Sequence, residues 1–153
     1  MTHLRAHGIS ARLPQGVEGS IYRHAASHGD ATYPVSHFAT FAMPSDPADF
    51  GGGVFELMRP TDVFVVLLEY GPESVGRKLF ERQGMPRALT AADFSTAKSR
   101  SGRVGHSAAQ LFFVENGRPF TLYAVLGSHL RRRFLLPIVN AILAEIRVET
   151  AVP

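Results

Sequence analysis

The sequence predicts an α+β fold in which an antiparallel β-sheet is flanked by helices and a C-terminal amphipathic helix packs on the sheet. Three segments predict it. LFFVENGRPFTLYAVLG, from Leu111 to Gly127, reads as two strands around Asn116-Gly117, the residue pair best suited to the positive backbone angles of a tight hairpin turn. LRRRFLLPIVNAILAEIRV, from Leu130 to Val148, carries apolar residues at helical spacing. DVFVVLLEY, from Asp62 to Tyr70, is the most apolar run, rich in β-branched residues and bounded by Pro60 and Gly71-Pro72; it is too short for an ordinary helix and suits a central strand.

The remaining elements follow in chain order. Ile9 to Leu13 is a strand, Pro14-Gln15-Gly16 a turn, and Glu18 to Arg23 the returning strand of an expected hairpin. His24 to Pro34 reads as a polar loop, and Val35 to Ala42 as a third strand with a buried face. PSDPADFGGG, from Pro44 to Gly53, breaks regular structure, and Val54 to Met58 suits either a short helix or a strand. Glu73 to Gln83 has helical spacing, with Val75, Leu79 and Phe80 on one face and Gly84 and Pro86 as a stop. Thr90 with Asp93 forms a capping-box pattern over a single helical turn. Ser95 to Gly105 is basic and rich in Gly and Ser, the composition of a mobile loop. In the last helix the expected stripe is Leu130, Phe134, Leu135, Ile138, Ile142, Leu143 and Ile146. Pro137 either kinks a helix begun near Leu130 or sits in the first turn of one begun near Leu135.

A chain of 153 residues, 45% hydrophobic and 19% charged, suits one domain. Its expected bounds are residues 8–149, with 1–7 and 150–153 as loose termini. Cysteine is absent, which excludes disulfides, thiolate metal sites and a Cys nucleophile, and accords with a reducing cytoplasm. The N-terminus lacks the apolar run of about 7 to 15 residues that a signal peptide requires, and no segment is long enough to span a bilayer. A cytoplasmic location without membrane contact is expected. Net charge is +3, carried almost wholly by arginine since only Lys78 and Lys98 are lysines, and it is too small to argue for nucleic acid on its own.

The order of elements, from ISARLPQG through the middle strands to GRPFTLYAVLG and LLPIVNAILAEIRV, resembles the Mog1/PsbP-like α/β sandwich. The chain is also similar to a group of small actinobacterial proteins that share these opening and closing segments. Such proteins often carry a tryptophan after the opening Pro-x-Gly, where Val17 stands here. The resemblance implies a sheet with helices packed on it and a non-catalytic accessory or protein-binding role, because proteins of that fold mostly bind other proteins. It carries over no functional residue.

Catalytic patterns are missing: no phosphate-binding glycine loop with Lys and Ser or Thr, no G-x-S-x-G, and no metal-ligand spacing with a third ligand. No catalytic residue, metal or cofactor is therefore expected, and the chain reads away from an enzyme. His24 and His28 share the i, i+4 spacing of a helical metal pair, as do His3 and His7, but both pairs lie in loop or terminus. His37, inside a strand beside Phe38, is either a satisfied core histidine or a cleft residue. Asp62 and Glu69 cap opposite ends of one strand, over about 20 Å apart, and cannot act as a pair.

Charge clusters at Arg131-Arg132-Arg133, which span about 300° of a helix. With Arg118, His129, Arg100 and Arg103 they form the expected binding set, facing an acidic partner or polyanion. The leading expectation is a module that binds another protein. The alternatives are a small-molecule-binding protein or enzyme with a pocket between sheet and helices near His37 or Glu69, and nucleic-acid binding through the arginines, the weakest of the three because no aromatic residues interleave them. A homodimer is a further expectation, from sheet edges and the apolar segments Phe112-Phe113 and Phe38/Phe41.

Overall fold

In the computed structural model, which describes residues 2–26, 29–45, 47–50 and 53–150, the chain is α+β, with two antiparallel sheets and one α-helix among those residues. The strands are β1 (Thr2–Ala6), β2 (Ile9–Leu13), β3 (Glu18–Tyr22), β4 (Val35–Ala39), β5 (Val63–Glu69), β6 (Ser107–Glu115), β7 (Arg118–Leu126) and β8 (Ile146–Val148); the helix α1 is Arg132–Ala144. The larger sheet has the order β3-β4-β5-β7-β6, and the smaller one β1-β2-β8. The apolar run forms β5, the middle strand, as its pattern required.

Strand alternation divides the core in two. Val63, Val65 and Leu67 of β5 and Phe120, Leu122 and Ala124 of β7 face Ile9, Leu13 and the helix residues Leu135, Val139, Ile142 and Leu143. Phe64 and Val66, with Tyr123 and Val125, face the other way, toward Val54, Phe55 and Met58. One layer is thus helix and small sheet, and the other is irregular chain. This is why β5 and β7 are apolar at nearly every position rather than alternating.

Several expectations need correction. Ile9–Leu13 and Glu18–Tyr22 do not pair with each other: β2 pairs with β1 and β8, and β3 with β4, so the turn at Pro14–Gly16 carries the chain from one sheet to the other. Residues 2–6, expected loose, form β1, joined to β2 through His7 (φ 53°) and Gly8 (φ 75°). Two consecutive positive φ values make this the same kind of two-residue turn as Asn116 (φ 50°) and Gly117 (φ 77°). His-Gly is a weaker signal than Asn-Gly, since histidine adopts that conformation less readily. Of the other end, residues 151–153 lie outside the described residues. Glu73 to Gln83 is not a helix but two 3-10 turns, Pro72–Ser74 and Lys78–Phe80, and of its expected apolar face Val75 and Leu79 are exposed while Phe80 is buried. Gly76 (φ 93°) between them interrupts the helical run. Val54 to Met58 also contains a 3-10 turn.

The Thr90 turn forms as expected: its N–H and hydroxyl both donate to the Asp93 carboxylate. In α1 the buried stripe is Leu135, Val139, Ile142 and Leu143, and Pro137 lies inside the helix. Leu130 and Phe134, expected in the core, are 91% and 82% exposed. Asn140 fastens the helix to the chain beside it, accepting from Leu89 N–H at 2.8 Å and donating to Leu89 C=O at 3.1 Å.

Candidate functional site

The expected arginine set separates into different environments. Arg118 is not a surface residue: it is 6% exposed, and all its donors are used inside the protein. Its Nη2 and Nε reach the two carboxylate oxygens of Glu69 at 2.6 and 3.0 Å. The remaining N–H groups go to the carbonyls of His7, Gly8 and Glu149. The hairpin turn places Arg118 next to the end of β5, where its guanidinium ties the two sheets together. Glu69 is accordingly paired rather than solvated. Asp62, at the other end of β5, is buried and accepts from Arg59 N–H and the Thr40 hydroxyl.

Arg100 also leaves the set. Its guanidinium lies 4.7 Å from the Phe50 ring centre, on the sheet face opposite α1, and its backbone N–H donates to the Tyr123 hydroxyl at 2.6 Å. A cation over an aromatic face holds this part of the 95–105 loop against the core.

The remaining members lie at the end of the 95–105 loop and at the start of α1, two segments that touch through His129. His129 N–H donates to Gly105 C=O at 2.7 Å and its Nδ1 shares a 2.8 Å hydrogen bond with the Ser107 hydroxyl, which brings the loop bearing Arg103 and Val104 beside the start of α1. Arg132 folds back onto His129 C=O at 2.9 Å. Arg131 and Arg133 are exposed, Val104 is fully exposed, and Phe134 with Arg131, Leu135 and Thr61 lines a groove of about 440 Å³. None of Arg103, Arg131, Arg132 and Arg133 makes an ion pair among the described residues. Between Asp93 and Glu145 the only acidic residue is Glu115, which is paired with Arg87.

This arrangement works against local helix preference. Three cations sit at the positive end of the helix dipole, where acidic side chains are favoured, and α1 has no acidic residue in its first turn and no side-chain cap at Arg131. Two large apolar side chains are left in water beside them. Sequence periodicity could not reveal this, because Phe134 lies only about 100° from the buried Leu135 and reads as a margin of the same stripe. The signal that was available is the arginine run itself, at a helix start where carboxylates belong.

His37 is fully buried in β4, its Nε2 2.7 Å from Asp49 C=O and its ring against Tyr22 and Phe64. Among the described residues Nδ1 has no hydrogen-bond partner. Burial lowers its pKa below the usual 6.5, with Asp49 opposing the shift in part. The folded protein therefore holds the imidazole neutral where the unfolded chain takes up a proton. Stability should be full above pH 6.5 and decline as pH falls from there toward the lowered value. Urea midpoints between pH 7.5 and 5 should show this decline, and His37→Asn should flatten it; an unchanged slope in that variant would assign the decline elsewhere, first to the buried His106, whose pKa is also lowered by burial and by Arg103.

His24 meets Asp49, with Nε2 2.8 Å from Oδ1, and His28, which shares its i, i+4 spacing, lies outside the described residues. His3 lies in β1 and His7 in the turn after it. No group of three or more His, Asp or Glu among the described residues is placed to hold a metal ion, and no helix among them is long and apolar enough to cross a membrane. The chain matches no protein-family model, no curated protein and no solved structure.

Proposed function

We propose that this chain is a non-catalytic module that binds another protein through the surface at the start of α1, and that its fold is of the Mog1/PsbP-like kind. The observation that carries the reading is the start of α1: Leu130 and Phe134 stand exposed beside Arg131 and Arg133, the loop bearing Arg103 is fastened to His129, and none of these arginines has a counter-charge among the described residues. An aromatic anchor between arginines is the composition of interface hot spots. The matching partner is a segment with an apolar side chain flanked by carboxylates. Its apolar group would fill the groove at Phe134, and its acids would neutralise guanidiniums that the helix dipole now opposes. The fold resemblance points the same way by analogy.

A random peptide display library selected on the protein should yield peptides with Asp or Glu around Phe, Leu or Trp. Phe134→Ala should weaken a selected peptide by about 30-fold, the effect of losing a hot spot of roughly 2 kcal/mol. Arg131→Glu should abolish binding while raising folding stability by up to about 1 kcal/mol, because an acid replaces a base at the helix start. Leu79→Asp, at another exposed apolar position, should leave binding unchanged. Selection of basic peptides, or affinities indifferent to Phe134 and Arg131, would refute the reading. A dimer in sedimentation that Phe134→Asp dissociates would show instead that the surface is covered by a second copy.

A further inference from the structure

A second feature lies at the β3 edge of the large sheet. Glu18, Ser20 and Tyr22 alternate onto one face of β3 and, with His24, Met43 and Pro44, line a cleft of about 590 Å³. That volume is in the range of small-molecule sites. Asp49 holds the polar side of the cleft together: its Oδ1 accepts the Tyr22 hydroxyl at 2.9 Å and lies 2.8 Å from His24 Nε2. The segment bearing Asp49 is itself anchored, since its carbonyl meets the buried His37 at 2.7 Å. Tyr22 packs edge-on against both imidazoles, at 5.2 and 5.4 Å.

These contacts decide the tautomer of His24. Burial pushes the Asp49 carboxyl upward, but the hydrogen bonds from His24 and Tyr22 outweigh it and hold the group below its ordinary range, so it is ionised at neutral pH. A carboxylate can only accept, hence His24 Nε2 donates to it, and in the singly protonated ring Nδ1 carries the lone pair. Nδ1 has no hydrogen-bond partner among the described residues. The result is a pre-oriented acceptor on a cleft-lining residue, with the Tyr22 ring, Met43 and Pro44 as apolar walls. Glu18 adds a second carboxylate, which makes the cleft unfavourable for anions.

We propose that the cleft is a binding site for a small neutral or cationic aromatic molecule that carries an N–H or O–H donor, which it gives to His24 Nδ1. Ring contact with Tyr22 and Met43 supplies the affinity, and the His24 acceptor selects the donor-bearing edge. Asp49 acts as a positioning residue. The site does not involve α1, so it stands or falls independently of the peptide surface.

The test uses benzamidine and phenol as probes, with benzoate as the anionic control, titrated into protein labelled on backbone nitrogen, histidine nitrogen and the Met43 methyl. Benzamidine and phenol should shift the Met43 methyl and the Ser20 and Tyr22 amides saturably, and benzoate should not. His24→Ala should weaken binding at least 10-fold, Tyr22→Phe severalfold, and Arg131→Glu not at all, with β6 and β7 amide positions unchanged as the check on folding. In the histidine spectrum of the free protein, the singly protonated form of His24 should carry its proton on Nε2. Absence of saturable shifts, equal binding of benzoate, unchanged affinity in His24→Ala, or a singly protonated His24 with its proton on Nδ1 would each overturn the proposal.

Discussion

Replacing Arg118 with methionine is expected to remove about 3–5 kcal/mol of folding stability, the cost of leaving a buried carboxylate without its partner. Arg118 and Glu69 side chains are 7% and 10% exposed, and the pair is bidentate. The same substitution also strips donors from the carbonyls of His7, Gly8 and Glu149, so both the β1–β2 turn and the strand end after β8 lose their tie to the large sheet. Urea denaturation of the single variant checks the size of the loss. A companion variant separates its causes: changing Glu69 to methionine as well removes the stranded charge and should recover a substantial part of the loss. Should Arg118→Met cost less than about 1 kcal/mol, the pair would be behaving as a solvated surface bridge. A double variant as unstable as the single one would place the cost in the lost carbonyl bonds rather than in the charge.

Tyr123→Ala should cost a similar amount, about 3–5 kcal/mol, by opening a cavity beneath the irregular layer. Tyr123 is fully buried, stands edge-on to Phe50 at 5.9 Å, and accepts the Arg100 N–H through its hydroxyl. Tyr123→Phe retains the ring and deletes only the hydroxyl, with its bonds to Arg100 N–H and the Ser99 side chain, at roughly 1 kcal/mol. The two variants should differ in hydrogen exchange as well. Tyr123→Phe should raise exchange chiefly near Arg100, whereas Tyr123→Ala should also raise it along β7 and its neighbours. Equal stability losses in the two variants would show that the hydroxyl contact, not the ring, secures the loop.

Where the sequence was legible, the interaction that decides the structure is local. Asn116-Gly117 forms its turn because two adjacent residues must adopt positive φ, and Thr90 with Asp93 closes its own box within four positions. The β5 run could only be a central strand, since no exposed position interrupts it until its end. The helix at Glu73 to Gln83 failed for the complementary reason. Apolar spacing was present, but Gly76, at φ 93°, disfavours continuous helix, and of the apolar face only Phe80 found a place in the core.

The candidate sites show the same division. The arginine run was visible as a charge cluster, but its apolar companions were hidden inside a stripe that reads as core. Asp49 offered no signal: it lies in a proline- and glycine-rich segment, 25 positions from His24 and 27 from Tyr22, and only folding brings the three together. Arg118 misled because a charged side chain in a strand is ordinarily exposed, and nothing near it in sequence announces Glu69, 49 positions away.

By itself, then, the sequence determined the α+β class, the closing hairpin and helix and the central strand, because periodicity and turn chemistry act over a few residues. Tertiary structure alone decided that β2 and β3 part into different sheets, that Arg118 is buried while Phe134 is not, and that His24 meets Asp49. Each of those outcomes depends on which distant surface a segment finds to cover it, and burial is settled by the whole chain at once.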